Sequence, residues 1–117
     1  MNKIGDGLIS LKLDAEGELR YIKTVQEVIA LLKEGPDGKI VLVDDAGTTF
    51  LAPVLSKLAG VVCMSGALGS HLAIVTREFE IPALMGTVIE NPSELNGKQV
   101  IIKHSEGTSG SLFLKDE

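Results

Sequence analysis

Hydrophobic and polar positions alternate at the start of the chain. Ile9, Leu11 and Leu13 are separated by Ser10 and Lys12, a period of two that predicts a strand. Asp14 to Glu18 reads as a turn and Leu19 to Lys23 as a returning strand, so residues 4–23 are expected to form a hairpin. The period then changes. Val25, Val28, Ile29 and Leu32 fall on one helical face, and Thr24 with Glu27 makes a capping box before them. Gly35-Pro36-Asp37-Gly38 ends that helix in a turn. Ile40 to Val43 is an unbroken apolar run, the mark of a strand covered on both faces. A polar loop, Asp44 to Thr49, follows it. Leu51, Val54, Leu55 and Leu58 predict a second helix, with Pro53 near its start and Gly60 at its stop.

The segment Val61 to Gly86 has the most structure written into it. Val61 to Met64 reads as a buried strand, and Ser65, Gly66 and Gly69 break its regularity. From Ser70 the pattern is helical, with Leu72, Val75 and Phe79 at spacings of three and four. Gly69 or Ser70 is the N-cap, which puts His71 in the first turn. Ile81-Pro82 stops the helix, because the residue before proline is driven out of the α region. Ala83 to Met85 is a further short strand. Beyond it, Asn91 to Leu95 reads as one helical turn, Asn96-Gly97-Lys98 as a tight turn, and Val100 to Lys103 and Ser111 to Leu114 as strands around a turn at 106–110.

Alternating strands and helices in the middle predict an α/β fold: a central, mainly parallel sheet with helices on one face. The terminal hairpins are expected to form a second, smaller sheet. The 117 residues suit one domain, 1–117.

Composition narrows the function classes. Sixteen acidic against eleven basic residues give a net charge of −5, which argues against nucleic acid and anionic membranes as partners. Three Phe, one Tyr and no Trp mean an aliphatic core. Cys63 is the one cysteine, so an internal disulfide is ruled out, and it reads as a small core residue. No signal peptide or long apolar span is read, and a cytoplasmic protein is expected.

The candidate chemistry lies at His71. The first turn of a helix has free N–H groups and a partial positive charge, and with a glycine-rich loop it makes an anion site. The positive helix end disfavours a second positive charge, and a neutral imidazole has an unprotonated nitrogen able to attack phosphorus. His71 is therefore the candidate nucleophile. Gly66, Gly69 and Ser70 are candidates for holding the phosphate, with loop geometry and helix capping as their plain structural readings. Arg77 lies nearly two turns on and is read as a salt-bridge or partner-contact residue. His104 is read as structural. Asp44 and Asp45 lack a third ligand and are read as a solvated strand-end loop, so no metal site is assigned.

The run Gly66-Ala67-Leu68-Gly69-Ser70-His71-Leu72-Ala73-Ile74-Val75-Thr76-Arg77, with Glu78 and Ile81-Pro82-Ala83, resembles the phosphohistidine segment of the phosphoenolpyruvate-utilising enzymes. These include pyruvate phosphate dikinase, phosphoenolpyruvate synthase and enzyme I of the sugar phosphotransferase system. The resemblance implies a swivelling domain of three layers, β/β/α, whose histidine at the place of His71 is phosphorylated. It implies a phosphocarrier that takes a phosphoryl group from ATP or phosphoenolpyruvate and passes it to an acceptor. Nucleotide-binding and phosphoenolpyruvate- or acceptor-binding domains or subunits would be its partners. No cofactor is expected on this chain, and Mg²⁺ is expected on the partner domains. Gly69 stands where that family usually has threonine, and Leu72 where it usually has a small residue. A second reading therefore stays open: a module that keeps the fold without being phosphorylated.

Overall fold

The structure is a computed structural model and describes residues 2–46 and 50–115. Its elements run β1 (Asn2–Ile9), β2 (Ala15–Tyr21), α1 (Val25–Glu34), β3 (Ile40–Val43), α2 (Ala52–Leu55), β4 (Gly60–Cys63), α3 (His71–Glu78), β5 (Ala83–Met85), a turn of 3-10 helix (Pro92–Leu95), β6 (Gln99–His104) and β7 (Ser109–Leu114). The middle of the chain follows the predicted α/β order. The expected loop 44–49 is described only through Ala46; residues 47–49 lie outside the described residues.

All seven strands belong to one closed ring in the order β1-β5-β4-β3-β2-β6-β7. Pairing is parallel from β2 through β3 and β4 to β5, and antiparallel around the rest. The predicted separate terminal sheet is therefore absent, and the hairpin at 4–23 does not form. β1 pairs with β5 and β7, whereas β2 pairs with β3 and β6. The physical reason is edge satisfaction. A four-stranded parallel sheet exposes two rows of unpaired N–H and C=O groups, and the terminal strands cover both by closing the ring. Leu11 and Leu13, expected on the first strand, lie beyond the end of β1. The amide of Leu13 donates to the carbonyl of Leu11 in a tight turn.

The parallel strands are buried on both faces, which explains their unbroken apolar sequences. Ile40, Leu42, Val62 and Leu84 point into the ring with Leu19, Val100, Ile102 and Leu112. Val41, Val43, Val61, Cys63, Ala83 and Met85 form a second core with residues of the helices. Each fully buried Leu or Ile of these clusters contributes about 1.5–3 kcal/mol of transfer free energy.

Leu51, Val54, Leu55 and Leu58 around α2 are buried as predicted, whereas α1 and α3 meet this outer core by faces that differ from those predicted. α1 has the capping box, with the Thr24 Oγ1 accepting from the Glu27 amide at 3.2 Å. It buries Val28 and Leu31, and leaves Val25, Ile29 and Leu32 about half exposed. α3 buries Leu72, Ala73 and Thr76, while Phe79 is 50 % exposed. Apolar residues on both helices spread over more than one face. Periodicity identified the helices; the sheet beneath chose the arc that is covered.

Candidate functional site

β4 ends at Cys63, and the chain crosses a loop to begin α3 at His71. Because β3, β4 and β5 are parallel, this loop stands at the C-terminal ends of adjacent strands, the end at which parallel α/β folds, open or closed, carry their ligand loops. Ser70 is the N-cap by position, with φ −70 and ψ 153, and its carbonyl accepts from the Ile74 amide at 3.0 Å. Its hydroxyl does not cap the helix. It turns back and accepts from the Ala67 amide at 2.9 Å, while the Ser70 amide donates to the Ala67 carbonyl at 3.0 Å. Residues 67–70 are thus a closed turn.

Gly66 and Gly69, paired by the sequence, have different positions. Gly66 has φ +79, and a Cβ there would stand 2.4 Å from the Ala46 Cβ and 2.7 Å from the Ser70 Oγ. Only glycine satisfies both the backbone and the space. A Cβ on Gly69 would meet nothing within 4 Å, so loop geometry does not require glycine there. This corrects the plain structural reading of Gly69.

His71 is the first residue of α3 and its side chain is exposed. The amides of Leu68, Gly69 and His71 have no acceptor among the described residues. The next amide does: Leu72 donates to the carbonyl of Ala46 at 3.3 Å. Leu72 itself is buried, and the Thr76 hydroxyl behind it donates to the carbonyls of Leu72 and Ala73. The first turn of α3 is therefore pinned on its inner side and open on its outer side.

Sequence reasoning missed the groups that pin the loop. The Ser65 Oγ accepts from the Ala46 amide at 2.9 Å, joining the loop after β4 to the loop after β3. Arg77 makes no ion pair among the described residues; its guanidinium donates to the carbonyls of Leu68 and Ser10. Of the two expectations for Arg77, a salt bridge or a partner contact, the first is replaced among the described residues by main-chain contacts. A serine and an arginine at these positions give no local signal, because their acceptors and donors lie on other elements.

The remaining candidates stand apart from His71 in their contacts. The Tyr21 hydroxyl donates to Asp44 at 2.5 Å, and burial first, then this hydrogen bond, pushes the phenol up to about 12. Among the described residues no group of three or more His, Cys, Asp and Glu could hold a metal ion. Cys63 is buried, and that burial raises its thiol above the ordinary range. His104 lies at the end of β6, with Nδ1 2.7 Å from Asp14 and its amide donating to the same carboxylate oxygen at 2.9 Å. A cavity of about 520 Å³ is lined by Ile4, Val88, Ile89, Glu94, Leu95 and Leu114 among others, and residues 65–71 take no part in it. Among the described residues no helix is long and apolar enough to cross a membrane.

Comparison with known proteins finds relatives of this chain. Phosphoenolpyruvate synthase of Neisseria meningitidis is 33% identical over 100 residues, covering 84% of this chain and 12% of that protein. The phosphoenolpyruvate-dependent phosphotransferase system protein of Salmonella typhimurium is 36% identical over 83 residues, covering 70% and 11%. A pyruvate kinase of Sporosarcina psychrophila is 33% identical over 95 residues, covering 80% and 15%. The chain thus spans roughly a tenth to a seventh of the length of these relatives. In fold, it is similar to muramoyltetrapeptide carboxypeptidase from Oxalobacter formigenes, with a TM-score of 0.59 over 99% of this chain and 51% of that one, at 14% identity. That likeness concerns the fold alone. Residues 35–107, which hold the loop, His71 and the three parallel strands around them, match the family model described as "PEP-utilising enzyme, mobile domain", and the chain belongs to that family.

Proposed function

We propose that this chain is a phosphocarrier whose acceptor atom is an imidazole nitrogen of His71. The observation that supports it best is local. An exposed histidine at the first position of α3 follows directly on loop amides that have no acceptor among the described residues. In this reading the ring nitrogen attacks phosphorus of ATP or phosphoenolpyruvate held by a partner domain or subunit. The bond from phosphorus to the leaving oxygen breaks, and that oxygen keeps the electron pair. The amides of Leu68, Gly69 and His71 receive the transferred phosphoryl oxygens, as a helix start and its loop do for anions generally. The Ser70 hydroxyl accepts from Ala67, which leaves its own proton for the same group. The phosphoryl group then passes to an acceptor oxygen on a second partner. Magnesium and the cationic clamps of phosphoryl transfer belong, in this reading, to the partners. A cytoplasmic setting is part of the same proposal.

The test is incubation with a donor domain from such an enzyme and ATP or phosphoenolpyruvate, followed by intact-mass analysis. One phosphoryl group, labile to acid and stable to base, should appear on the wild type and be missing from His71→Ala. Label that persists in His71→Ala, or no label at all, overturns the reading. The open space around Gly69, where the family usually has a threonine side chain, favours one second reading. In it the chain docks to a larger partner and is not phosphorylated, so stable binding without label would establish that alternative.

A further inference from the structure

The fold returns Arg77 to the loop from which the sequence had separated it. Its Nη2 donates to the carbonyl of Leu68 at 3.0 Å, and its Nε donates to the carbonyl of Ser10 at 3.3 Å. Ser10 is itself held firmly. Its amide donates to the Ala83 carbonyl and its hydroxyl accepts from the Ala83 amide, both at 2.9 Å, so it is clamped to the start of β5. One guanidinium therefore links the loop before His71 to the wall of the ring.

The two ends of the loop are held at Ser65 and Leu72, but its middle has no other such link among the described residues. Within residues 66–69 the other hydrogen bonds, among the described residues, close the turn upon Ser70 and reach nothing outside it. We infer that Arg77 is a positioning residue for the proposed phosphoryl acceptor: by fixing the Leu68 carbonyl to the ring wall it sets the direction of the Leu68 and Gly69 amides and of the His71 ring. The inference rests on the phosphocarrier reading for what is positioned, and on geometry alone for the strap itself. Arginine suits the task because its planar fork offers two N–H donors at fixed spacing to two carbonyls. A lysine keeps the charge but presents a single nitrogen.

The full chain is compared as wild type, Arg77→Met and Arg77→Lys. In the first arm, backbone order parameters of Leu68 and Gly69 are measured by ¹⁵N relaxation, with the imidazole Cε1–H signals. His71 and His104 are the only two histidines, so His104→Gln assigns both. The wild type should show order parameters near about 0.85, and Arg77→Met values below about 0.6. The His71 signal should shift in Arg77→Met while that of His104 stays in place, and Arg77→Lys should fall between. In the second arm, phosphoryl transfer from the donor domain should lose about tenfold in kcat in Arg77→Met, with KM within about twofold and partial rescue by lysine. Unchanged order parameters and an unchanged His71 signal overturn the strap, and an unchanged kcat overturns its role in transfer. A wild type that takes no phosphate overturns the carrier reading, while the first arm still decides whether the strap exists.

Discussion

The amide of Leu72 donates to the carbonyl of Ala46 at 3.3 Å, and the amide of Ala46 donates to the Ser65 hydroxyl at 2.9 Å. Ala46 is thereby clasped by the two ends of the loop that leads to α3. Gly66 lies against that clasp, whereas Gly69 stands free of it. Gly66→Ala should cost about 2–4 kcal/mol, from the positive φ together with the collision at Ala46. Gly69→Thr should change stability by less than about 1 kcal/mol. Urea denaturation of both variants checks the contrast, and equal losses would contradict the geometry.

The C-terminus of α3 has a residue that suits its place poorly. The Ile81 amide donates to the Thr76 carbonyl at 2.9 Å and the Glu80 amide to the Arg77 carbonyl at 3.1 Å, the two bonds of a Schellman cap. Glu80 occupies the left-handed position with φ 59, where glycine is favoured. Relief of roughly 1–2 kcal/mol of backbone strain, less the entropy that glycine loses, leaves a gain of about 0.5–1 kcal/mol for Glu80→Gly. Thermal unfolding should move up by about 2–5 °C.

Tyr21 is the only tyrosine and tryptophan is missing, so its ionisation can be followed alone by ultraviolet absorbance. The midpoint should lie at about 12, against an ordinary value of 10.0. Asp44→Asn should lower it only part of the way, because burial is the larger cause. Between these two values the folded chain holds a proton that the unfolded chain has released. The stability contributed by the partly buried phenol is therefore complete below about pH 10 and lost as pH rises to about 12.

On the acid side the sign reverses. Arg20 donates to Glu18 on its own strand and to both carboxylate oxygens of Glu34 at the end of α1, and Lys39 approaches the same two acids at 3.5 and 3.9 Å. The Arg20 hydrogen bond holds the Glu18 carboxyl below its ordinary 4.5. Its contribution is thus present above about pH 4.5 and lost as pH falls through the lowered value. Glu18→Gln should cost about 0.5–1 kcal/mol at pH 7, and the difference from wild type should narrow as pH falls below the ordinary carboxylate range. Melting temperatures of both proteins across that range test this.

The site was legible wherever it was local. Gly66, Ser70 and His71 lie within one loop and the first turn of one helix, so spacing and cap chemistry place them without tertiary knowledge. Ser65 and Arg77 escaped because each acts on a distant backbone group, Arg77 on a carbonyl 67 residues away. The loop-geometry reading of Gly69 failed because a sequence shows that a glycine is present but not whether space would admit another side chain.

The unbroken apolar runs at 40–43 and 61–64, the capping box at Thr24 and the change from glycine loop to helical period at Gly69-Ser70 determined, by themselves, an α/β chain with buried parallel strands and His71 at a helix start. Those features depend on neighbours a few residues apart, which the chain order contains. Only the tertiary structure decided that β1 leaves β2 to pair with β5 and β7 and closes the ring, and which arcs of α1 and α3 are covered. Strand partners and helix orientation are chosen by satisfying every sheet edge and filling both cores at once, a condition on the whole chain that no single segment encodes.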